Sequence, residues 1–353
     1  MGQLLAFNEN GEPQQTYTSI RELHARLLGP QTAWSIDVIV ALTCFMSCIA
    51  YLDFASDLIC PIVDDLLGDL WRGRPTCIIS LGIFVLLPLC LLKEIAALAP
   101  FSFMGNIAVI FAVGMMVLRA MDGSYIIGGQ FSQEDTHIVH PDILRSGYDS
   151  SDSGTPASGW AETHESIWRF NISTLRFVNM ISVGFLSHYN VSEYYFSLTE
   201  ASPNRFRKAT GYAFLFTAIV YICSMSAGYS TFGKECDRTI LRNYSAADPL
   251  AGLAKIAIAA SLLISFPLMF KGLYRSVSSL FPGSSGTNEN MIGHEQLVVV
   301  LLLFVCCTAM VFPDVGEVVN ITGAFCGTCL CYVFPLIFIF AKKSNGECRI
   351  GII

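Results

Sequence analysis

Polar side chains within long apolar runs are the first place to look for chemistry, because holding them in a low-dielectric interior is costly. The richest such run is Val183-Gly-Phe-Leu-Ser-His-Tyr-Asn-Val-Ser-Glu193. Gly184, Ser187, His188, Asn190 and Glu193 interrupt an otherwise apolar block near its middle. A flexible glycine beside clustered polar groups suits a helix that unwinds inside a membrane. Freed backbone amides could then hold a carboxylate, and freed carbonyls an ammonium or a metal cation. The same residues could equally serve as interhelical hydrogen-bonding glue. His188 could alternatively act as a protonatable switch, since an imidazole titrates near neutrality.

Ser261 and Ser265 form an i,i+4 pair just before Pro267. Two hydroxyl oxygens one helical turn apart could contribute to a sodium site, because hard cations take oxygen ligands; serines at this spacing also pack helices. Asp53 and Asp57 are an i,i+4 carboxylate pair on one helix near the end of the first apolar block. An aspartyl protease would need its carboxylates on facing helices, so the pair reads as a span boundary. Cys326, Cys329 and Cys331 lack a second cysteine pair and read as helix packing rather than half a zinc site. With no Gly-rich phosphate cradle or nucleophile elbow, the chain is not expected to be an enzyme. No basic cluster with interleaved aromatics marks a nucleic-acid partner.

The elements that must carry these residues are membrane helices. Of 353 residues 53% are hydrophobic and only 14% charged, with a mean hydropathy of +0.54, whereas a soluble domain carries about 25% charge. The apolar residues gather into eight blocks, most of them near the length that crosses a bilayer. They are Trp34 to Ile62, Thr76 to Leu98, Phe101 to Met121, Phe177 to Leu198, Ala209 to Phe232, Pro249 to Phe270, Glu295 to Phe312 and Val318 to Phe340. Residues 1–33 are polar, with a short helix expected over Ser19 to Leu28. A Ser-, Asp- and Gly-rich stretch fills 122–174. The transmembrane domain is thus expected over 34–341 and a polar tail over 342–353.

Local signals set some boundaries. Asp248-Pro249 is a helix start, with a capping carboxylate before a proline tolerated in the first turn. Pro313-Asp314 separates the last two blocks so tightly that an antiparallel pair is expected. Pro267 and Pro335 fall within blocks and should kink them. Loop charge slightly favours a cytosolic N-terminus. The sequons at Asn171 and Asn243 then lie together outside, as candidate glycosylation sites.

With these features in place, the chain resembles the amino acid/auxin permease family, the group that includes the sodium-coupled neutral amino acid transporters. Ser187-His-Tyr-Asn-Val191, followed by Tyr195 and Leu198, is similar to the family's sixth-helix pattern. Gly228-Tyr-Ser-Thr-Phe-Gly233 resembles the signature that ends the seventh helix. Ile240-Leu-Arg-Asn-Tyr244 and the run from Ser265 to Arg275 resemble the segments that follow. Ile321-Thr-Gly-Ala324 and Tyr332-Val-Phe-Pro-Leu336 are similar to the tenth helix.

The resemblance implies an all-α, inverted-repeat transporter fold of the amino acid/polyamine/organocation type. The eight blocks correspond to family helices three to ten, so the fold is expected to be incomplete, truncated at both ends. It also implies secondary active transport of amino acids by alternating access. Substrate would meet Val183, Gly184, Phe185, Ser187 and His188, and Ser261 and Ser265 become candidate sodium ligands. The expected partners are an amino-acid substrate and the lipid bilayer. No cofactor is expected beyond a coupling Na+ or H+, and the oligomeric state stays open. A multi-pass protein of the plasma membrane or of a vacuolar or lysosomal membrane is expected. Departures from the pattern keep an alternative in view. Ser187 replaces the family's usual Cys, and Phe196-Ser197 replaces its acidic pair; the resemblance also leads one to expect no segment here that matches the first helix, which should supply half of the substrate site. A non-transporting sensor, a regulatory paralogue or an inactive fragment is the other reading.

Overall fold

The computed structural model describes residues 4–7, 13–17, 20–67, 73–91, 99–125, 129–131, 172–186, 191, 194–195, 198, 202–237, 239–280, 294–312 and 314–344. Two short antiparallel strands, β1 (Leu4–Phe7) and β2 (Pro13–Tyr17), open the chain and were not legible in its polar composition. The helix α1 (Ile20–Leu28) follows where it was expected. The remaining helices are α2 (Trp34–Leu67), α3 (Arg74–Leu91), α4 (Ala99–Asp122), α5 (Ile172–Gly184), α6 (Pro203–Phe232), α7 (Pro249–Leu280), α8 (His294–Val311) and α9, which runs over 315–344. Among the described residues, six helices are long and apolar enough to cross a membrane: α2, α3, α4, α6, α7 and α9. The helix α8 is a shorter apolar segment, and α5 is only 13 residues long. Among the described residues, the eight apolar blocks therefore appear as six full-length helices and two shorter ones.

Helix starts follow local chemistry. The Asp248 carboxylate accepts the amides of Leu250 at 3.0 Å and Ala251 at 3.4 Å, capping α7 as its Asp-Pro pair predicts. Ser202 caps α6 ahead of Pro203 by accepting from Arg205 N at 3.3 Å. Asp314 caps α9 through Gly316 N at 3.0 Å. Internal prolines are accommodated in two ways. Pro61 and Pro267 lie within continuous α-helix. Pro88 and Pro335 instead follow π-helical turns, at Leu81–Leu86 in α3 and at Cys329–Val333 in α9. A wider turn there relieves the clash between the proline ring and the carbonyl four residues earlier.

The helices α2 and α7 form the central pair, and small residues let them touch. Gly272 of α7 lies so close to α2 that a Cβ would be 2.8 Å from Cys44 Sγ. Gly82 of α3 meets Cys306 of α8 in the same way. Cys44, Cys48 and Cys306 are buried in the core shared by α2, α3, α7 and α8, acting as the small hydrophobes their positions suggested. A second core joins α4 and the end of α6 to the first half of α7. The third seats Leu23 and Leu27 of α1 against Ile36 and the end of α9. Pro313 lies outside the described residues; α8 packs on α2, α3 and α7, and α9 packs on α2 and α5. Exposed Phe, Leu, Ile and Met side chains cover the outward faces of α3, α4, α6 and α9, as lipid-facing helices require.

Candidate functional site

The helix α5 stops at Gly184, at the residue the sequence singled out. Its last regular bond runs from Phe185 N to Ile181 O at 3.3 Å, and Leu186 N then turns tightly onto Val183 O at 3.0 Å. Helical backbone reappears at Val191 and at Tyr194–Tyr195. The helix therefore breaks after Gly184, where Phe185 and Leu186 leave the helical path. Such backbone survives at membrane depth only where protein or water satisfies it.

Three elements close around the break. From α6, the Tyr221 hydroxyl presses on Gly184 where any side chain would have to stand. The Phe185 ring packs edge-on against Tyr221, 5.7 Å between centroids, and against Phe214 at 5.5 Å. From α9, Gly323 comes against the Asn179 carbonyl, and a Cβ there would be 2.9 Å from Val183 Cγ2. The Asn179 amide donates to Asn320 Oδ1 at 3.2 Å, fixing α5 to α9 one turn away. From α2, Tyr51 lies within electrostatic reach of Tyr194 and Tyr221. The break is thus ringed by phenol hydroxyls, an amide pair and aromatic faces. Hydroxyls and open backbone can bind a small zwitterion, and aromatic faces can enclose its side chain.

Of the expected contacts, Val183, Gly184 and Phe185 are brought together here, whereas Ser187 and His188 lie outside the described residues. Ser261 and Ser265 are half-buried on α7. Ser261 faces α4: a Cβ on Gly105 would sit 2.6 Å from its Oγ. That contact puts Ser261 on the α4 side of α7. Sequence reasoning missed Tyr51, Tyr221 and Asn179, which lie in three different apolar blocks with no local motif to mark them. It did single out the motif holding Gly323, and the close approach of α5 shows why glycine stands there. The glycosylation candidate Asn171 lies outside the described residues. Asn243 accepts from Asp237 N at 2.8 Å and donates to Glu235 O at 2.9 Å, holding the loop before α7.

A second polar constellation ties α4 to α7. Arg119 grips Asp248 with two 2.8 Å bonds and also reaches Asp122 at 2.9 Å. Tyr125 donates to Asp248 Oδ2 at 3.0 Å and accepts from Ser245 N at 3.2 Å. The Arg119 guanidinium also lies over the Phe131 ring, 4.9 Å from its centroid. Every oxygen of the Asp248 carboxylate is occupied, so this is a structural clamp. The Asp53–Asp57 pair also departs from the boundary reading, because α2 continues to Leu67 and both residues lie inside it.

The comparisons with known proteins bear on the family. A family model described as "Transmembrane amino acid transporter protein" matches residues 2–349. The amino acid transporter AVT6E of Arabidopsis thaliana is 24% identical over 296 residues, 81% of this chain and 55% of that protein. Sodium-coupled neutral amino acid transporter 7 of Mus musculus is 23% identical over 359 residues, 98% of this chain and 70% of that protein. The chain therefore spans about half to two-thirds of the length of these relatives. No solved structure matches. With a family match that takes in all the described helices and the broken helix at Gly184, this chain belongs to the transmembrane amino acid transporter family.

Proposed function

We propose that the chain carries amino acids across a membrane by alternating access, with uptake coupled to a sodium or proton gradient. The observation that carries this reading is the break at Gly184, enclosed by α2, α6 and α9. A discontinuous helix offers free backbone amides to a carboxylate and free carbonyls to an ammonium group, which are the two groups every amino acid shares. The name of the mouse relative points to neutral amino acids, and the aromatic walls of Phe185, Phe214 and Tyr221 suit uncharged side chains.

The N-terminus faces the cytosol in this reading, which puts the α4–α7 clamp and Asn243 on the outer side. The two Asn243 bonds do not bar a glycan, since a glycosylated amide keeps one N–H to donate. Ser265, with Ser261 behind it, is the hydroxyl pair for a sodium ion. The membrane is that of the cell surface or of a vacuolar or lysosomal compartment.

The test is uptake of radiolabelled neutral amino acids by cells or vesicles carrying the protein, with a sodium gradient, with a proton gradient and with neither. Saturable uptake that rises with one gradient is expected. Absence of uptake for every amino acid, with the protein present in the membrane, would overturn the proposal.

A further inference from the structure

Two carboxylates share one guanidinium in the outer half of α2. Arg74, at the start of α3, places Nη2 at 3.0 Å from Asp53 Oδ1 and Nε at 3.4 Å from Asp57 Oδ1. The side chains are 0% exposed at Asp53, 13% at Asp57 and 24% at Arg74. Among the described residues, neither oxygen of Asp53 has a hydrogen-bond partner, although both are fully enclosed. The flanking Leu52 and Ala55 belong to the core shared with α3, α7 and α8, and Leu58 to the core shared with α4 and α7. Among the described residues, the other charged groups that act on Asp57 are Arg242 and Asp237, in the loop before α7. Those two lie 3.8 Å apart and offset each other.

Among the described residues, charge counting then leaves one uncompensated negative charge in an apolar surrounding. Two ionised carboxylates that share a site raise each other's cost, and one of them takes a proton instead. Of the two, Asp53 is the more buried, and neither of its oxygens has a hydrogen-bond partner among the described residues. Asp57 leads from it toward the more exposed Arg74 at the end of the bundle that carries the loop before α7.

We infer that Asp53 is a proton-binding site of this chain, loaded from the outer face by way of Asp57. The proton comes from water and attaches to the enclosed Oδ2, giving a neutral carboxylic acid beside a one-to-one Asp57–Arg74 ion pair. No oxidant, reductant or metal takes part. Its use as a coupling proton rests on the transport reading given above, but binding of the proton does not.

Difference infrared spectroscopy of the purified full chain, between mildly alkaline and mildly acidic solution, reads the proton without any uptake. A carbonyl band of a buried protonated carboxyl is expected in the wild type. It should vanish in Asp53→Asn and move to lower pH in Asp57→Asn, where Asp53 is left one-to-one with Arg74. If Asp53→Asn does not fold, Asp53→Glu decides, since a band displaced in frequency supports the assignment and an unmoved band overturns it. A wild type without the band, or an Asp53→Asn protein that keeps it, also overturns the inference. Failed uptake with the band present would instead count against the transport reading alone.

Discussion

Asp248 shows how a single side chain can join two helices and sense pH. Burial by itself would raise its carboxyl, but the Arg119 and Tyr125 bonds and the Ala251 amide hold it below the usual carboxylate range. A depressed carboxylate stabilises the fold fully above the unfolded value near 3.8, and that contribution is lost as pH falls from there through the folded value. Asp248→Asn should cost about 3 kcal/mol, the lower end for breaking a buried pair, because Asp122 still faces the guanidinium. Thermal unfolding of the purified protein in detergent checks this, and the deficit should shrink in strongly acidic solution. Gly184 gives a second residue-scale expectation. Gly184→Ala drives a methyl group into the Tyr221 hydroxyl and should abolish uptake while leaving membrane insertion intact. Tyr221→Phe on that background removes the nearest atom, yet ring carbons remain 2.9 and 3.0 Å from the new Cβ, so recovery should be partial.

At the scale of elements, two docked helices make separate predictions. The α5–α9 contact depends on Gly323, where an added Cβ would meet backbone rather than a flexible side chain. Gly323→Ala should therefore push the helices apart at a cost of about 1–3 kcal/mol, the usual range for overpacking, seen as a lower unfolding temperature. The helix α1 docks by placing His24 edge-on against Phe334 and Phe338 of α9. Burial lowers the His24 pKa and outweighs the attraction of Asp37, so the buried ring is neutral at neutral pH. The free form binds a proton more readily, so docking is complete above the ordinary value of 6.5 and weakens as pH falls below it. Amide hydrogen exchange over α1 should accelerate on mild acidification, and His24→Leu should remove that acceleration. These helices differ in how legible they were. The amphipathic α1 and the Asp-Pro start of α7 could be read because capping and periodicity are local. The π turns before Pro88 and Pro335 could not, since the prolines predict strain without saying how the backbone absorbs it.

Across the whole molecule, long apolar blocks made the membrane architecture readable, and clustered polar residues after Gly184 made the break readable. What surrounds the break was not. Tyr51, Asn179 and Tyr221 come from three separate helices, and nothing local says which face of an apolar helix turns inward when every face is apolar. Asp53 was misread as a boundary residue for a related reason, because its partner Arg74 belongs to the next helix. The account rests on the break at Gly184 being the place where an amino acid binds. Equilibrium binding of radiolabelled neutral amino acids to the purified protein tests this most directly, with Gly184→Ala as the probe and Gly114→Ala as the control, since a Cβ at Gly114 meets nothing within 4 Å. Saturable binding that survives in Gly114→Ala and is lost in a folded Gly184→Ala is the predicted result; equal binding by wild type and Gly184→Ala, or none by a folded wild type, would contradict it.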